Sequence, residues 1–341
     1  MSAAPQPATT PWQCPDCAHP RLDETPAGLQ CPACHLDFPR WHGVINTLVH
    51  PDPEVVRELE GMRRERQELG ERFDHLSDFM VARVPHVETH AEREAWNASE
   101  PTQYFLSTRL NLEQAMAALD LRGQRRVLEI GAQNPFETLQ AFRARGFTEC
   151  YALNLHFLYD SDAGMGPWPV VLLGDMNRLP FRDGYFDVVL ACATTHHSPN
   201  LDRTLAEISR VLAPSGVTIL INDPTNGPAK HLWEHIGGIW RRWGWDRTLR
   251  NDLIHENEYT VLRYRRLFRK HGLRIRRSFF SAYYDRKLRQ GNFTGVRWAA
   301  LAAVVAWCWR IPGAAAILQR LALLPGQIIL GLELNVIVEK R

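Results

Sequence analysis

Apolar and polar positions along the chain change period several times, and each change marks an element. Val188–Ala193 and Val217–Asn222 are short, nearly unbroken apolar runs, the pattern of strands buried on both faces. Between them, from Asp202 to Leu212, Leu205, Ile208, Val211 and Leu212 fall on one face of an amphipathic helix. Ala213-Pro214-Ser215-Gly216 stops that helix and turns the chain. Strand, crossover helix and strand make a βαβ unit, which builds doubly wound sheets that bind ligands at the carboxyl ends of their strands. Further apolar runs at Val127–Gly131, Glu149–Leu155 and Val170–Leu173 predict three more strands upstream. Leu273–Tyr284 and Ile328–Val338 predict two more downstream, for a sheet of seven.

Helical periods precede this core. Val55, Leu59, Met62, Leu69, Phe73 and Leu76 recur at three- and four-residue spacings, which predicts a connecting helix over 53–83 with one packed face. Leu110, Leu112, Ala115, Met116 and Leu119 predict a second helix from Asn111 to Leu121. Trp96, Tyr104 and Phe105 are either ordinary core aromatics or the wall of a substrate pocket.

The first part of the chain has neither period. It holds Cys14-Pro-Asp-Cys17 and, thirteen residues later, Cys31-Pro-Ala-Cys34. Two such knuckles bring four thiolates to one tetrahedral zinc ion, and four protein ligands leave no open position, so the metal is expected to be structural. A unit this small buries little core, so metal would supply most of its folding energy. The remaining cysteines, Cys150, Cys192 and Cys308, are scattered. With no basic and apolar leader in MSAAPQPATTPW, this points to reduced thiols and a cytoplasmic protein.

The chain has 341 residues and a net charge of +2, which gives no overall bias toward acidic or basic partners. The charge is uneven, however. From Arg241 to Arg289 there are fifteen Arg or Lys against five Asp or Glu. The segment 229–250 is rich in Trp and Arg. Trp298 to Trp309 is apolar but too short to span a bilayer, and Arg310 to Gly313 separates it from a second apolar stretch. A peripheral contact with the inner face of a membrane through 241–325 is one reading of these features. A buried helical lid or an oligomer interface is another, and the aromatics interleaved with Arg also admit RNA.

Asp175, Leu179-Pro180-Phe181, Phe186-Asp187-Val188-Val189, His197, Glu207, Arg210-Val211-Leu212 and Pro214-Ser215-Gly216 together resemble the core of class I S-adenosylmethionine-dependent methyltransferases of the type 11 group. The segment 12–50, through Phe38-Pro39-Arg40 and Gly43-Val44-Ile45, resembles the zinc-ribbon module of the Trm112-like group. The resemblance implies an α/β fold: a doubly wound, seven-stranded, mostly parallel Rossmann-like sheet with a small N-terminal zinc ribbon. It implies a ribbon at 12–50, a helical linker at 51–100 and a methyltransferase-like domain at 101–341 with insertions at 229–250 and 296–325.

The same resemblance assigns cofactor roles. Glu129 would help hold the amino group of S-adenosylmethionine, and Gly131 would let the backbone approach its methionine end. Asn154 stands where an acidic residue accepts from the ribose hydroxyls. Asp175 would accept from the adenine amino group, with the Met176 backbone N–H on the ring. The loop departs from the family's G-x-G-x-G, since Gln133 and Pro135 follow Gly131. His196 and His197, beyond the fourth strand, are candidate general bases for a hydroxyl or amine nucleophile, and equally candidate structural residues. Three functions are therefore carried forward. The first is methyl transfer to oxygen or nitrogen of a small or lipid-linked acceptor. The second is methylation of ribosomal RNA, since one guanine-methylating group also joins a four-Cys ribbon to this core. The third is a non-catalytic binding or scaffold protein, suggested by the altered loop and Asn154.

Overall fold

The computed structural model describes residues 10–68, 70–83, 103–132, 135–159, 168–227, 257, 259–282 and 333–341. Four short antiparallel strands come first: β1 (Asp23–Thr25), β2 (Gly28–Gln30), β3 (Asp37–Trp41) and β4 (Val44–Asn46). Helix α1 (Pro53–Glu68) follows, then the short α2 (Leu76–Met80) and β5 (Val81–Arg83). The expected single helix over 53–83 is thus broken. The chain turns at Gly70, whose φ of +93° no helix accommodates.

Helix α3 (Gln103–Ala117) leads into β6 (Arg126–Ile130), α4 (Pro135–Arg143), β7 (Glu149–Asn154), β8 (Phe157–Tyr159) and β9 (Val170–Leu173). Then come β10 (Phe186–Cys192), α5 (Leu201–Val211), β11 (Leu212–Asp223) and β12 (Thr225–Asn226). The chain closes with β13 (Tyr259–Thr260), α6 (Val261–Lys270), β14 (Leu273–Ser278) and β15 (Leu334–Lys340). The expected insertions at 229–250 and 296–325 lie outside the described residues, as do Trp96 and Gln133.

Strands β9-β7-β6-β10-β11-β15-β14 lie side by side in that order. The first five are parallel, with Leu128 opposite Tyr151 on one side and Val189 on the other, and Leu190 opposite Ile219. Strand β15 is antiparallel to both of its neighbours. The order reverses between β6 and β10, which creates the crevice in which such sheets bind ligands. This is the expected doubly wound sheet of seven strands.

Side chains alternate between two buried layers. Leu128, Ile130, Val189 and Ala191 face α5 and α6, through Leu205, Ile208, Tyr264 and Phe268. Val127, Val188, Leu190 and Ile219 face α1, α3 and α4, through Val55, Leu59, Leu112, Met116 and Phe142. Burying each Leu, Ile or Phe in these layers stabilises the fold by about 1.5–3 kcal/mol.

The sheet does not end at β9. Strand β4 adds to its free edge in parallel, Ile45 opposite Leu172 and Asn46 opposite Leu173, so the ribbon extends the sheet to eleven strands among the described residues. Thr47 fixes the join by donating both its backbone N–H (2.9 Å) and its hydroxyl (2.6 Å) to the Leu173 carbonyl. Trp12 stacks on Phe181 at 5.5 Å, and Leu22, Leu29 and Phe38 join the same buried layer as Leu172 and Phe186. The ribbon therefore shares the core of the main sheet, and its folding energy does not come from metal alone.

The residues that carry the family resemblance around Leu179 and Arg210 have a structural job. The Arg210 guanidinium meets Glu207 (2.7 Å) and Asp183 (2.8 Å) and donates to the carbonyls of Phe181 (2.6 Å) and Leu179 (3.0 Å). Glu207 in turn accepts from the Leu179 backbone N–H at 2.8 Å. Arg210 also reaches Gln13 of the ribbon segment at 3.1 Å, so one side chain ties helix, turn and ribbon together.

Candidate active site

Carboxyl ends of four parallel strands open into one cavity of about 280 Å³. Gly131 enters it from the end of β6, Asn154 from β7, Asp175 and Met176 from the turn after β9, and Cys192, Ala193, Thr194, His196 and His197 from the end of β10. The sequence-predicted Gly131, Asn154, Asp175, Met176, His196 and His197 thus converge, although 66 positions separate the first from the last in the chain. Glu129 is placed differently. It is buried inside β6 and accepts from the Thr138 hydroxyl of α4, behind the cavity wall.

Gly131 takes a φ of +71°, and a Cβ there would stand 2.3 Å from the Thr194 side chain. Only glycine fits this turn. Its N–H and that of Ala132 both reach the Leu153 carbonyl, at 2.8 and 3.2 Å, which pins the turn to β7. Asn154 spans the same gap: its amide N–H donates to the Ala132 carbonyl (3.3 Å) and its oxygen accepts from the Leu155 N–H (2.8 Å). The amide oxygen keeps one lone pair for a ligand.

Asp175 is buried, and its Oδ1 accepts from the backbone N–H (2.8 Å) and side-chain amide (3.2 Å) of Asn177. Burial pushes its carboxyl above the usual value, and the two Asn177 bonds partly oppose that shift. The arrangement holds one carboxylate rigidly at the cavity edge.

After β10, Ala193 has a φ of +47° and the chain makes a single tight helical turn over Thr195–His197. The fully buried Asp223, at the end of β11, organises this turn. Its Oδ1 accepts the backbone N–H of Thr194 (3.1 Å), the backbone N–H of His196 (3.2 Å) and the His196 Nδ1–H (3.1 Å). The carboxylate selects the tautomer of His196 that keeps Nε2 as a proton acceptor. His197 lies against His196, ring centroids 4.0 Å apart, and its Nδ1 is 3.7 Å from Glu58 Oε1.

Sequence reasoning missed three parts of this site. Helix α1 is a roof over the cavity rather than a bare connection, and it contributes Glu54, Val55, Glu58 and Met62. Glu58 sits within the apolar face that Val55, Leu59 and Met62 define; a buried carboxylate at that register was the available signal. His156, two residues past Asn154, lines the cavity and stacks on Phe79 at 4.9 Å. Asp223 directly follows the expected strand Val217–Asn222, at the start of a Pro- and Gly-containing turn, and carried no signal of its own.

The four cysteines form a second, separate cluster. Their sulfurs all lie within 4.8 Å of one another, with Cys14–Cys34 at 3.7 Å and Cys17–Cys31 at 3.5 Å. A tetrahedron of sulfurs about 2.3 Å from zinc has edges of about 3.8 Å, so the set fits that ion. Ala18 and His35, which follow the knuckles, both take left-handed backbone, and their N–H groups close the turns onto Cys14 and Cys31 carbonyls.

Residues 128–220 match a family model described as a methyltransferase domain. The match covers 93 of the 341 residues, about a quarter of the chain. The expected resemblance to S-adenosylmethionine-dependent methyltransferases is borne out over it. Curated relatives match parts of the chain. One is a 24-methylenesterol C-methyltransferase 2 of Arabidopsis thaliana, 29% identical over 119 residues, covering 33% of this chain and 33% of that protein. Another is a phthiotriol/phenolphthiotriol dimycocerosates methyltransferase 1 of Mycobacterium ulcerans, 46% identical over 63 residues, covering 18% and 22%. The chain thus spans a third or less of the length of these relatives. Among solved structures, a chain of the complex between the Haloferax volcanii Trm112 methyltransferase activator and a methyltransferase aligns with a TM-score of 0.44 at 19% identity, over 74% of this chain and 99% of that one.

The space that a Cβ at Gly131 would take is filled by the Thr194 side chain, so this glycine serves the packing of the turn. The Asn154 amide oxygen and the rigid Asp175 carboxylate are the acceptors this cavity offers to a ligand's hydroxyl or amino groups. No helix of the described residues is long and apolar enough to cross a membrane.

Proposed function

We propose that this protein transfers a methyl group from S-adenosylmethionine to an oxygen or nitrogen of a small or lipid-linked acceptor. The observation that supports this most is the His196–Asp223 pair on the cavity wall, between the Gly131 turn and the Asp175 turn. When bound, S-adenosylmethionine supplies an electrophilic methyl carbon on a sulfonium. Gly131, Asn154, Asp175 and the Met176 backbone are the residues that would hold it. His196 Nε2 would take the proton from the acceptor's hydroxyl or amine, whose oxygen or nitrogen would gain the methyl carbon as the carbon–sulfur bond breaks and the sulfonium leaves as a neutral thioether. Asp223 holds the imidazole in place through Nδ1–H and stabilises the imidazolium that results. Helix α1 excludes water above the pair. The two named relatives act on a methylenesterol and on phthiotriol or phenolphthiotriol dimycocerosates, which favours an apolar acceptor here.

Calorimetric titration of the full chain with S-adenosylmethionine tests the reading. Heat at one site per chain and a raised Tm are expected. Neither signal at millimolar ligand would refute it and leave the non-catalytic reading. Once an acceptor is found, Asp223→Asn keeps an accepting oxygen but loses the charge. It should lower kcat by about 10²–10⁴ while the cofactor Kd stays unchanged.

A further inference from the structure

Helix α6 presents a face that the methyl-transfer site does not use. Tyr264, Leu267 and Phe268 are buried, while Leu262, Arg265, Arg266 and Arg269 form an exposed stripe at three- and four-residue spacing. Leu262 is 56% exposed and is the one large hydrophobic side chain so exposed among the described residues. Beside the stripe runs a groove of about 310 Å³ between α6 and the edge strand β14. Its lining includes apolar Phe268, Ile275, Leu334 and Val336 beneath Arg265 and Arg269.

The charge of this face is not neutralised from within. Arg274 and Arg276 share Glu339, and Lys270 is paired with Asp202. Among the described residues Arg265, Arg266, Arg269 and Arg277 form no ion pair. The long stretch from Arg286 to Leu332, between β14 and β15, contains no Asp or Glu. Basic residues on β14 blunt an open sheet edge. That reason does not extend to a helix, nor to an exposed leucine set among arginines.

We propose that the outer face of α6 and its groove dock on a membrane surface bearing anionic phospholipid. The arginines meet lipid phosphates, for which guanidinium is a bidentate partner, and Leu262 enters the acyl boundary. The occupant is chosen by charge complementarity: a net-positive rim over an apolar floor matches an anionic head on an alkyl tail. Docking at this face needs no cofactor, so it stands or falls apart from the methyl-transfer reading.

Sedimentation of the full chain with lipid vesicles tests the proposal. Mixed phosphatidylcholine–phosphatidylglycerol vesicles should retain it and phosphatidylcholine alone should not, with retention falling as salt rises. Arg265→Gln with Arg269→Gln should raise the lipid concentration for half-retention about 30-fold. Leu262→Ser should weaken retention by itself. Arg122→Gln with Arg145→Gln, which removes the same charge elsewhere, should not. Tm values of all variants establish that they fold. The proposal is overturned by no retention, by equal retention on neutral vesicles, or by retention unchanged in the α6 variants. Single-stranded RNA bound through the same arginines, with Leu262→Ser leaving vesicle retention unchanged, would also overturn it.

Discussion

His156 should make the fold sensitive to acid, by an amount the structure sets. Its ring packs face to face on Phe79 at the inner wall of the cavity. Its Nδ1 is closed off from solvent with no hydrogen-bond partner among the described residues. Burial first, and the Arg66 charge second, push it from 6.5 down to about 4. A depressed imidazole value means that the unfolded chain takes up a proton before the folded one does. Stability attributable to His156 is therefore constant above pH 6.5, falls as the pH falls through the interval from 6.5 to about 4, and is fully lost below it. At about 1.4 kcal/mol per pH unit the interval is worth about 3 kcal/mol, most of which is lost by about pH 4.5. His156→Phe keeps an aromatic ring against Phe79 and cannot titrate. Urea unfolding of both proteins at a series of pH values isolates the effect. Thiolate protonation in the ribbon affects both alike and cancels in the difference. The stability of the variant should gain on the wild type by about 2–3 kcal/mol between neutral pH and about pH 4.5. Curves that stay parallel over that range would show that His156 is solvated, and the reasoning would fail.

Two further outcomes follow from local geometry. Gly131→Ala forces a side chain into left-handed backbone 2.3 Å from Thr194, so it should cost about 1–3 kcal/mol and abolish the calorimetric signal with S-adenosylmethionine; a variant with wild-type stability and binding would show that the turn is not tightly held. Metal analysis should find one zinc per wild-type chain and none in Cys31→Ser, which removes one of four convergent sulfurs; stoichiometric metal retained in the variant would refute a four-thiolate site.

The central βαβ unit was legible in the sequence because both of its strands are buried on two faces and its helix on one. Val188–Ala193 was read one residue beyond the observed end of β10, at the point where Ala193 turns to positive φ. The strand expected over Leu273–Tyr284 is shorter: β14 ends at Ser278, because the run of apolar residues continues past the point where pairing with β15 stops. The converging cavity residues were legible from the family motif. What periodicity cannot show is which surfaces meet. Val55, Leu59 and Met62 announced an apolar face on α1 but not that it would close over the carboxyl ends of four strands. Asp223 and His196 are 27 positions apart, and their bond arises only because β10 and β11 end side by side. Strand β4 has three residues, too few for a pattern to name β9 as its neighbour.

That pairing of β4 with β9 has a bearing on how the protein fails. Val170–Leu173 is an uncharged β-branched and leucine run, the kind of segment that recruits other chains when its backbone is bare. In the native state the ribbon occupies its open side through Ile45 and Asn46. The ribbon thus acts as a cover built into the chain. Losing its fold would bare the edge of a sticky strand, and the damage would be felt first as insolubility rather than as lost chemistry.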